Sequence, residues 1–392
     1  MTVDPTTLTA NWSYPTQILF GAGRIGELAE ACRGLGMSRP LLVTDPDLAA
    51  LPMVRDTIAA NEAAGLPTGL FSDIKPNPVG RNVEDGVAAY RNGGHDGVIA
   101  FGGGSGLDAA KAVALMAGQS RPMWDFEDVG DNWTRADLGG IAPIVAVPTT
   151  AGTGSEVGRA SVVVNQETET KVIIFHPKML PGVVISDPAL TLGLPPHVTA
   201  ATGMDALAHC LEAYCAPSYH PMAEGIAVEG MRLVKTWLPT AYRDGANLEA
   251  RANMLAAASM GATAFQKGLG AIHSLSHPIG ALYDTHHGLT NAVVMPYVLA
   301  FNRRAIEDKL TRLAAWLDLP DPSYVAIMDW VLALRSELGI AHTLKDIGVD
   351  DARADELSEM AAKDPTAPTN PVPIGAAELK AMFIDALEGR LA

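Results

Sequence analysis

The chain has 392 residues, of which 48% are hydrophobic and 18% charged, and its formal net charge is −16. A chain of this length and composition is expected to fold into two domains and not to remain disordered. Its excess of acidic side chains would repel a polyanion, which argues against nucleic acid as a partner.

The cysteine pattern and the N-terminus bear on the compartment. The chain has three cysteines, Cys32, Cys210 and Cys215, which is an odd number without a paired spacing. Such a pattern is typical of proteins in a reducing compartment. Residues 1–12 lack the basic start and apolar run of a signal peptide. The longest apolar stretches fall short of the roughly 18 residues of a membrane span. We therefore predict a cytoplasmic protein with no membrane partner.

The first half of the chain alternates β-branched runs with helical patterns. Residues 39–46 predict a strand, followed by a helix to about residue 64. Residues 95–106 predict a buried strand that runs into a glycine turn and then a helix, and residues 141–156 repeat the strand-to-loop form. Strands and helices at this spacing predict a parallel sheet covered by helices.

The pattern changes near residues 186–200, where proline and short loops replace the β-branched runs. The segments beyond are rich in alanine and carry apolar residues at helical intervals. Residues 364–373 form a proline-punctuated loop before a last helix. We predict an α/β domain over residues 1–188 and an all-helical domain over residues 189–392.

Histidines concentrate in the second half, with six of the ten between positions 209 and 287. Asp205 and His209 are four residues apart in a helical pattern, so they project from one face. A metal site needs several ligands to converge, typically three or four imidazoles and carboxylates. The candidates for such a set are Asp205, His209, His273 and either His286 or His287. For any one of them alone, capping a helix or filling a polar gap is the favoured interpretation, whereas the set together favours a metal site. The spacing does not choose between zinc and ferrous iron.

Glycines 102–104 and 106 stand with Ser105 between a predicted strand and a helix. Unhindered amides at a helix N-terminus attract phosphate, although Leu107 breaks the GxGxxG pattern and a tight loop is an equal alternative. A second loop, residues 148–156, is rich in small and hydroxyl side chains. Asp45 follows a strand as a ribose-binding acid would, which favours NAD over NADP, but it could equally form a turn before Pro46.

Four motifs together resemble the iron-containing (group III) alcohol dehydrogenase family, in the family's order and over essentially the whole chain. They are GGGSGLDAAKA (102–112), PTTAGTGSE (148–156), TGMDALAH (202–209) and GLGAIHSLSHPIGALYDTHHG (268–288). The resemblance implies a dehydroquinate synthase-like fold, with an N-terminal α/β dinucleotide-binding domain and an all-α C-terminal metal-binding domain. It also implies an active site in the cleft between them.

The resemblance also implies roles for individual residues. The metal ligands would be Asp205, His209, His273 and His287, the last because the family's ligand directly precedes a glycine, here Gly288. The metal would be Fe²⁺, with Zn²⁺ as the alternative, and His277 would relay a proton near the nicotinamide. The NAD-binding residues would be Asp45 at the ribose, Gly103, Gly104 and Ser105 at the pyrophosphate, and Asn77, Thr149, Thr150, Thr153 and Lys171 along the rest of the groove.

Three positions depart from the family pattern. Ala264 stands where an aromatic residue is common, which predicts a roomier substrate pocket. Val372 follows Asn370 and Pro371 in place of the usual arginine, which weakens the expected role of that loop. His286 places a second imidazole, of unknown use, beside His287.

The function implied is reversible hydride transfer between a primary alcohol and NAD, in a homodimer or larger homo-oligomer acting on a small alcohol or aldehyde. One alternative is a hydroxy-acid dehydrogenase that reduces semialdehydes, in which Lys267 pairs with the substrate carboxylate; a solvated lysine at a helix end is the simpler interpretation of Lys267. A dehydroquinate synthase-type lyase and a non-catalytic nucleotide-binding protein are the remaining alternatives.

Overall fold

The computed structural model of the chain describes residues 16–391. The predictions made on residues 1–12 therefore lie outside the described residues. Within the described range the chain divides into two compact units, an N-terminal unit of residues 16–193 and a C-terminal unit of residues 194–391. The division falls a few residues beyond position 188.

The strands of the N-terminal unit are β1 (Gln17–Phe20), β2 (Leu41–Val43), β3 (Gly69–Phe71), β4 (Val98–Gly102), β5 (Ile144–Pro148), β6 (Ala160–Asn165), β7 (Thr170–Phe175) and β8 (Val183–Ser186). Six of them form a parallel sheet in the order β1-β8-β5-β4-β2-β3. Its helices are α1 (Leu28–Gly34), α2 (Pro46–Ala49), α3 (Pro52–Ala63), α4 (Gly80–Asn92) and α5 (Gly104–Met116). Every residue of β4 and β5 is buried, as in central strands covered on both faces. The predicted parallel sheet with helices is confirmed.

Two features of this unit differ from the sequence predictions. The single helix expected to residue 64 is two helices, α2 and α3, because Leu51 is extended before Pro52, as residues that precede proline tend to be. The strands β6 and β7 form an antiparallel hairpin outside the main sheet, in which Val164 pairs with Lys171. The polar residues between the two β-branched runs were a hairpin signal that the predicted strand pattern missed.

The C-terminal unit is helical throughout its regular structure. Its helices are α6 (Pro196–Cys215), α7 (Pro221–Arg243), α8 (Leu248–Ala264), α9 (Ala271–Tyr283), α10 (His287–Trp316), α11 (Tyr324–Glu337), α12 (Ala354–Lys363) and α13 (Ala376–Glu388). The all-helical prediction is thus confirmed for residues 194–391. Over residues 16–391, no helix combines the length and the apolar character that crossing a bilayer requires.

Helix α6 is the centre of this unit. Residues 199–215 of α6 are all buried, and the helix packs against α7, α8 and α10. A helix that is apolar all round is expected to be buried in this way, and its alanines let neighbouring helices approach closely. Polar side chains on such a helix must find partners inside the protein, because water does not reach them.

Candidate functional site

Three helices of the C-terminal unit bring four polar side chains to one point. Asp205 and His209 lie one turn apart on α6, His273 lies in the first turn of α9, and His287 is the first residue of α10. One potential ligand atom from each lies within 4.8 Å of the other three. Asp205, His209 and His273 are buried, whereas 26% of the His287 side chain is exposed, so the cluster is open on the His287 side.

Gly288 lets the start of α10 approach α6 closely enough to place His287 in this cluster. A Cβ atom at Gly288 would lie 2.4 Å from the carbonyl oxygen of Ala201 and 3.0 Å from the Cβ of Asp205. Real Cβ atoms do not tolerate the first distance, so any larger residue would push the two helices apart. The glycine after the histidine is therefore a packing requirement of the cluster.

Glu212, one turn beyond His209 on α6, holds His273 in place. One carboxylate oxygen accepts a hydrogen bond from the amide of Ile272 at 2.7 Å, and the other lies 2.6 Å from Nδ1 of His273. A carboxylate on Nδ1 fixes the proton there and leaves Nε2 with its lone pair toward the cluster. Sequence reasoning missed Glu212, although a glutamate inside a buried, alanine-rich helix was a signal.

The electrostatics of the cluster favour positive charge. Burial by itself lowers the pKa of His273, but the hydrogen bond and charge of Glu212, together with Asp205 and Asp364, outweigh it and raise that pKa. Three imidazoles and one carboxylate are ligands that suit Fe²⁺ and Zn²⁺ alike. The residues present therefore fit a divalent cation by donor type, by proximity and by local potential.

We expect Glu212→Gln to weaken metal binding by about 10- to 100-fold, because an amide orients and polarises the His273 imidazole less well than a carboxylate does. Competition with a chelator measures the metal affinity directly. Glu229→Gln, a change in an exposed ion pair with Arg232, is the matched control and should leave the affinity as it is. Equal affinities in wild type and Glu212→Gln would contradict this role.

His277 lies beside the cluster but not in it. Its ring stacks on that of His287, with centroids 5.4 Å apart, and its Nδ1 lies 2.7 Å from Oδ2 of Asp364. Thr366 donates from its amide, at 2.9 Å, and from its hydroxyl to the other oxygen of Asp364. Burial raises the pKa of Asp364, but His277 and Thr366 outweigh it and leave that pKa below its usual range. His277 is thus oriented by a carboxylate from a loop that the sequence did not connect with it.

The structure shows the surroundings of the three positions at which the sequence departs from the family pattern. The residue after Ala264 is Phe265, whose ring packs against His209 with centroids 5.2 Å apart, so an aromatic side chain does lie beside the cluster. The roomier substrate pocket expected from Ala264 stays a prediction. The loop of Asn370 keeps a role, because its Oδ1 accepts from the amide of Ala271 at the start of α9. His286 is the N-cap of α10, and its Nδ1 accepts from the Leu289 amide.

Neither interpretation of Lys267 was right. The residue is buried, with 3% of its surface exposed, so it is not a solvated lysine. Its Nζ donates to the backbone carbonyl oxygens of Ala213, Tyr214 and Ala216 at 3.0, 3.0 and 2.6 Å, and it lies 2.9 Å from Glu224. It therefore caps the C-terminus of α6 and is not placed to bind a substrate carboxylate.

Most of the predicted cofactor residues of the N-terminal unit lie at the glycine turn between β4 and α5. Gly103 is the N-cap of α5 and supplies no side-chain hydrogen bond, so the first turn of this buried helix presents its backbone amides. Gly104 and Ser105 begin the helix. The amide of Thr149 donates to the carbonyl of Gly102, at 2.9 Å, which joins the second loop to the turn.

Two threonines of the second loop pack directly on the glycines. A Cβ at Gly103 would lie 3.1 Å from Cγ2 of Thr150, and one at Gly104 would lie 2.5 Å from Oγ1 of Thr153. The glycines are therefore needed for the two loops to meet. The structure thus brings Thr149, Thr150 and Thr153 to the turn, and their contact with NAD stays a prediction.

Asp45 borders the same turn from β2. Its Oδ1 accepts from the amide of Leu48 and caps α2, so the turn-forming role that was weighed for it is present. Its Oδ2 lies 3.8 Å from the position that a Cβ atom would take if Gly102 carried one. Asn77 has a left-handed φ of 51° in the loop before α4, and Lys171 lies on β7. The loop that carries Asn77 contacts the β6–β7 hairpin, because Val79 pairs with Val164 of β6. Asn77 and Lys171 therefore both lie on the hairpin side of the unit.

A buried ion pair anchors these loops, and sequence reasoning missed it. Lys111 Nζ donates to the carbonyl of Ser155 at 3.0 Å and lies 3.4 Å from Asp108. Asp108 in turn accepts from the Ser155 hydroxyl and from the amide of Val162, at 2.9 Å. The pair fastens the second loop and β6 to α5, and so fixes the walls of the glycine turn.

Comparisons with known proteins agree with the fold. Residues 15–188 match the family model described as iron-containing alcohol dehydrogenase, and residues 199–387 match that of the Fe-containing alcohol dehydrogenase family, C-terminal. The chain is 39% identical to 4-hydroxybutyrate dehydrogenase of Cupriavidus necator, over 94% of this chain and 98% of that protein.

Solved structures give the same result. A crystal structure of 1,3-propanediol oxidoreductase has a TM-score of 0.91 and 34% identity, and the match covers 96% of this chain and 99% of that one. Sulfoacetaldehyde reductase from Bifidobacterium kashiwanohense, in complex with NAD⁺, has a TM-score of 0.86 and 28% identity, covering 97% of this chain and all of the other. The chain belongs to the iron-containing alcohol dehydrogenase family and is an oxidoreductase that acts on alcohols.

Proposed function

We propose that this protein catalyses the reversible oxidation of a small primary alcohol to an aldehyde with NAD, using one Fe²⁺ ion per chain. The observation that carries the proposal is the convergence of one carboxylate and three imidazoles, with Glu212 behind His273. Zn²⁺ is the alternative ion, because the same donor set suits it.

Asp205, His209, His273 and His287 would hold the metal. The bound ion would supply Lewis acidity at the alcohol oxygen, and NAD would accept the hydride. Glu212 keeps Nε2 of His273 directed at the cluster, and Phe265 covers the His209 ring. In the N-terminal unit, Gly103, Gly104 and Ser105 would bind the pyrophosphate.

The remaining cofactor contacts follow from the same proposal. Asp45 would bind the adenosine ribose, which favours NAD over NADP. Thr149, Thr150 and Thr153 would line the groove beside the turn, and Asn77 and Lys171 would contribute from the hairpin side. The NAD⁺ complex of the sulfoacetaldehyde reductase supports NAD as the cofactor class.

His277 would move the proton of the alcohol toward solvent. Asp364 holds its Nδ1, which leaves Nε2 to exchange a proton. We expect His277→Ala to lower turnover by about 10²- to 10⁴-fold while the metal content stays at the wild-type level. Turnover and metal content are measured on the same preparation. A variant that lost its metal would instead make His277 part of the ion's site.

A carboxylated substrate is the second candidate, because the Cupriavidus necator relative is a 4-hydroxybutyrate dehydrogenase. The C-terminal unit gives this candidate no support at Lys267, whose ammonium group is held by backbone carbonyls. This observation favours a neutral alcohol.

The test is NADH oxidation by the ferrous protein with butyraldehyde and with the matching 4-oxobutyrate. We expect a higher kcat/KM for the neutral aldehyde. A clear preference for the carboxylated aldehyde would move the proposal to a hydroxy-acid dehydrogenase. No NADH oxidation with any aldehyde would contradict the proposed function and favour a lyase.

We also infer a reducing, cytoplasmic setting and a homodimer or larger homo-oligomer. Cys32, Cys210 and Cys215 are buried and form no disulfide, and burial raises the pKa of each thiol to about 12, so none is a ready thiolate. Light scattering of the purified protein would give the oligomeric state.

A further inference from the structure

Helix α9 begins without a cap of its own. Its N-cap residue is Gly270, which has no side chain to accept from the amides that the first turn of a helix leaves unpaired. Two side chains from elsewhere in the C-terminal unit supply the acceptors. Oδ1 of Asn370 accepts from the amide of Ala271 at 3.1 Å, and Oε1 of Glu212 accepts from that of Ile272 at 2.7 Å. The start of α9 is therefore capped by residues that are distant in sequence.

The two glycines that precede α9 make room for these contacts. A Cβ atom at Gly270 would lie 2.8 Å from Oδ1 of Asn370 and 3.0 Å from Oε1 of Glu212, so a side chain there would displace the capping amide. A Cβ atom at Gly268 would lie 2.7 Å from Cβ of Thr369, and the φ of 135° at Gly268 favours glycine as well. Both glycines thus let the polypeptide around Asn370 pack against the start of α9.

Asn370 is itself held by Asn302 of α10. Both side chains are buried, and each Nδ2 donates to the Oδ1 of the other, at 2.9 Å from Asn302 and 2.8 Å from Asn370. The other hydrogen of the Asn370 amide goes to the carbonyl of Val372, at 2.7 Å. Together with the bond from Ala271, these contacts use both lone pairs of Oδ1 and both hydrogens of Nδ2. The carboxamide of Asn370 is therefore fixed in place and in orientation.

The loop that ends at Asn370 also reaches the other end of the same stretch of α9. Asp364, at the start of this loop, lies 2.7 Å from Nδ1 of His277 through its Oδ2. The loop of residues 364–370 therefore contacts α9 at its first residue and again at His277, and His273 lies between these two contacts. A helix that one loop holds at two points cannot turn about its axis without breaking one of them.

We propose that Asn370 is a positioning residue of the reaction, which sets the places of His273 and His277 through the first amide of α9. The inference rests on the proposed function, because it requires a metal ion at the cluster and a proton-transferring group beside it. A neutral amide suits this position. An aspartate could accept from the α9 amide, but it would lack the two donors and would add a second negative charge beside Glu212.

The test is Asn370→Leu, which removes every hydrogen bond of the carboxamide at a similar side-chain size. Competition with a chelator should show metal binding weakened by about 10-fold, because His273 loses part of the support that holds it in place. At saturating metal, kcat should fall by about 10- to 100-fold with an unchanged KM for NAD. Misplaced groups at the reacting centre slow the reaction, whereas the glycine turn of the other unit is untouched.

Ser323→Ala is the matched control, because Oγ of Ser323 accepts from the amide of Ala326 and is an ordinary N-cap at the start of α11. Its loss should lower the free energy of unfolding and leave the metal affinity and kcat at their wild-type values. Asn302→Ala, which leaves Asn370 its bond to the α9 amide but removes the residue that holds it, should show both effects of Asn370→Leu more weakly.

Wild-type metal affinity and kcat in Asn370→Leu, with only the free energy of unfolding lowered, would make Asn370 a purely structural residue and overturn the proposal. Should this variant fail to fold, unchanged metal affinity and kcat in Asn302→Ala overturn it equally. A wild-type protein that binds no metal contradicts the proposed function itself, and this result appears before any variant is made.

Discussion

Replacing His273 with alanine is expected to abolish stoichiometric metal binding and, with it, alcohol oxidation. His273 is buried between Glu212 and the other cluster residues. Loss of the hydrogen-bond partner of a metal ligand weakens metal binding by about 10- to 100-fold, so loss of the ligand itself should weaken metal binding at least 100-fold. The metal content after dialysis and the residual turnover measure the two effects together.

His286→Ala is the matched control for this experiment. His286 is an exposed imidazole next to a cluster residue, and it caps α10 through Nδ1. Loss of this cap should slightly destabilise the start of α10 and leave the metal content unchanged. Full metal occupancy in His273→Ala, or loss of metal in His286→Ala, would contradict the assignment of ligands.

Replacing Lys267 with methionine is expected to lower the free energy of unfolding by about 3 kcal/mol or more, because three buried carbonyl oxygens at the end of α6 lose a donor. Burial lowers the pKa of Lys267 to about 8, so its ammonium group still carries all three hydrogens at pH 7. The pair with Glu224 should add little, since a third of that glutamate side chain is exposed. Denaturant unfolding measures the change.

The same variant separates a structural from a substrate-binding role. We expect the ratio of kcat/KM for neutral and carboxylated aldehydes to stay at its wild-type value in Lys267→Met. Lys345→Met, a change at an exposed lysine of the same unit, should alter neither stability nor selectivity. A selective loss of activity on the carboxylated aldehyde, with unfolding unaffected, would restore Lys267 as a substrate-binding residue.

The sequence predicted the features that depend on local pattern. Buried β-branched runs such as 98–102 predicted the central strands, and the spacing of Asp205 and His209 predicted two side chains on one helix face. The choice between His286 and His287 needed the family resemblance. In the structure the reason is the helix start, because His286 lies outside α10 as its cap and His287 is its first residue.

The features that depend on tertiary packing were not predictable in this way. Asp364 lies 87 residues from His277, and Asn291 is 86 residues from Asp205, so no spacing rule connects either pair. Lys267 looked like a solvated side chain because only the packing of α6 shows that its ammonium group meets the helix end. In each case a polar side chain was placed by a partner that is distant in sequence.

The most direct test of the central claim is a titration of the metal-free protein with Fe²⁺ under anaerobic conditions, following NADH oxidation with a neutral aldehyde at each step. The account predicts that activity rises in proportion to bound iron and levels off at one ion per chain. Activity that does not depend on iron, or iron that binds stoichiometrically without any NADH oxidation, would contradict it.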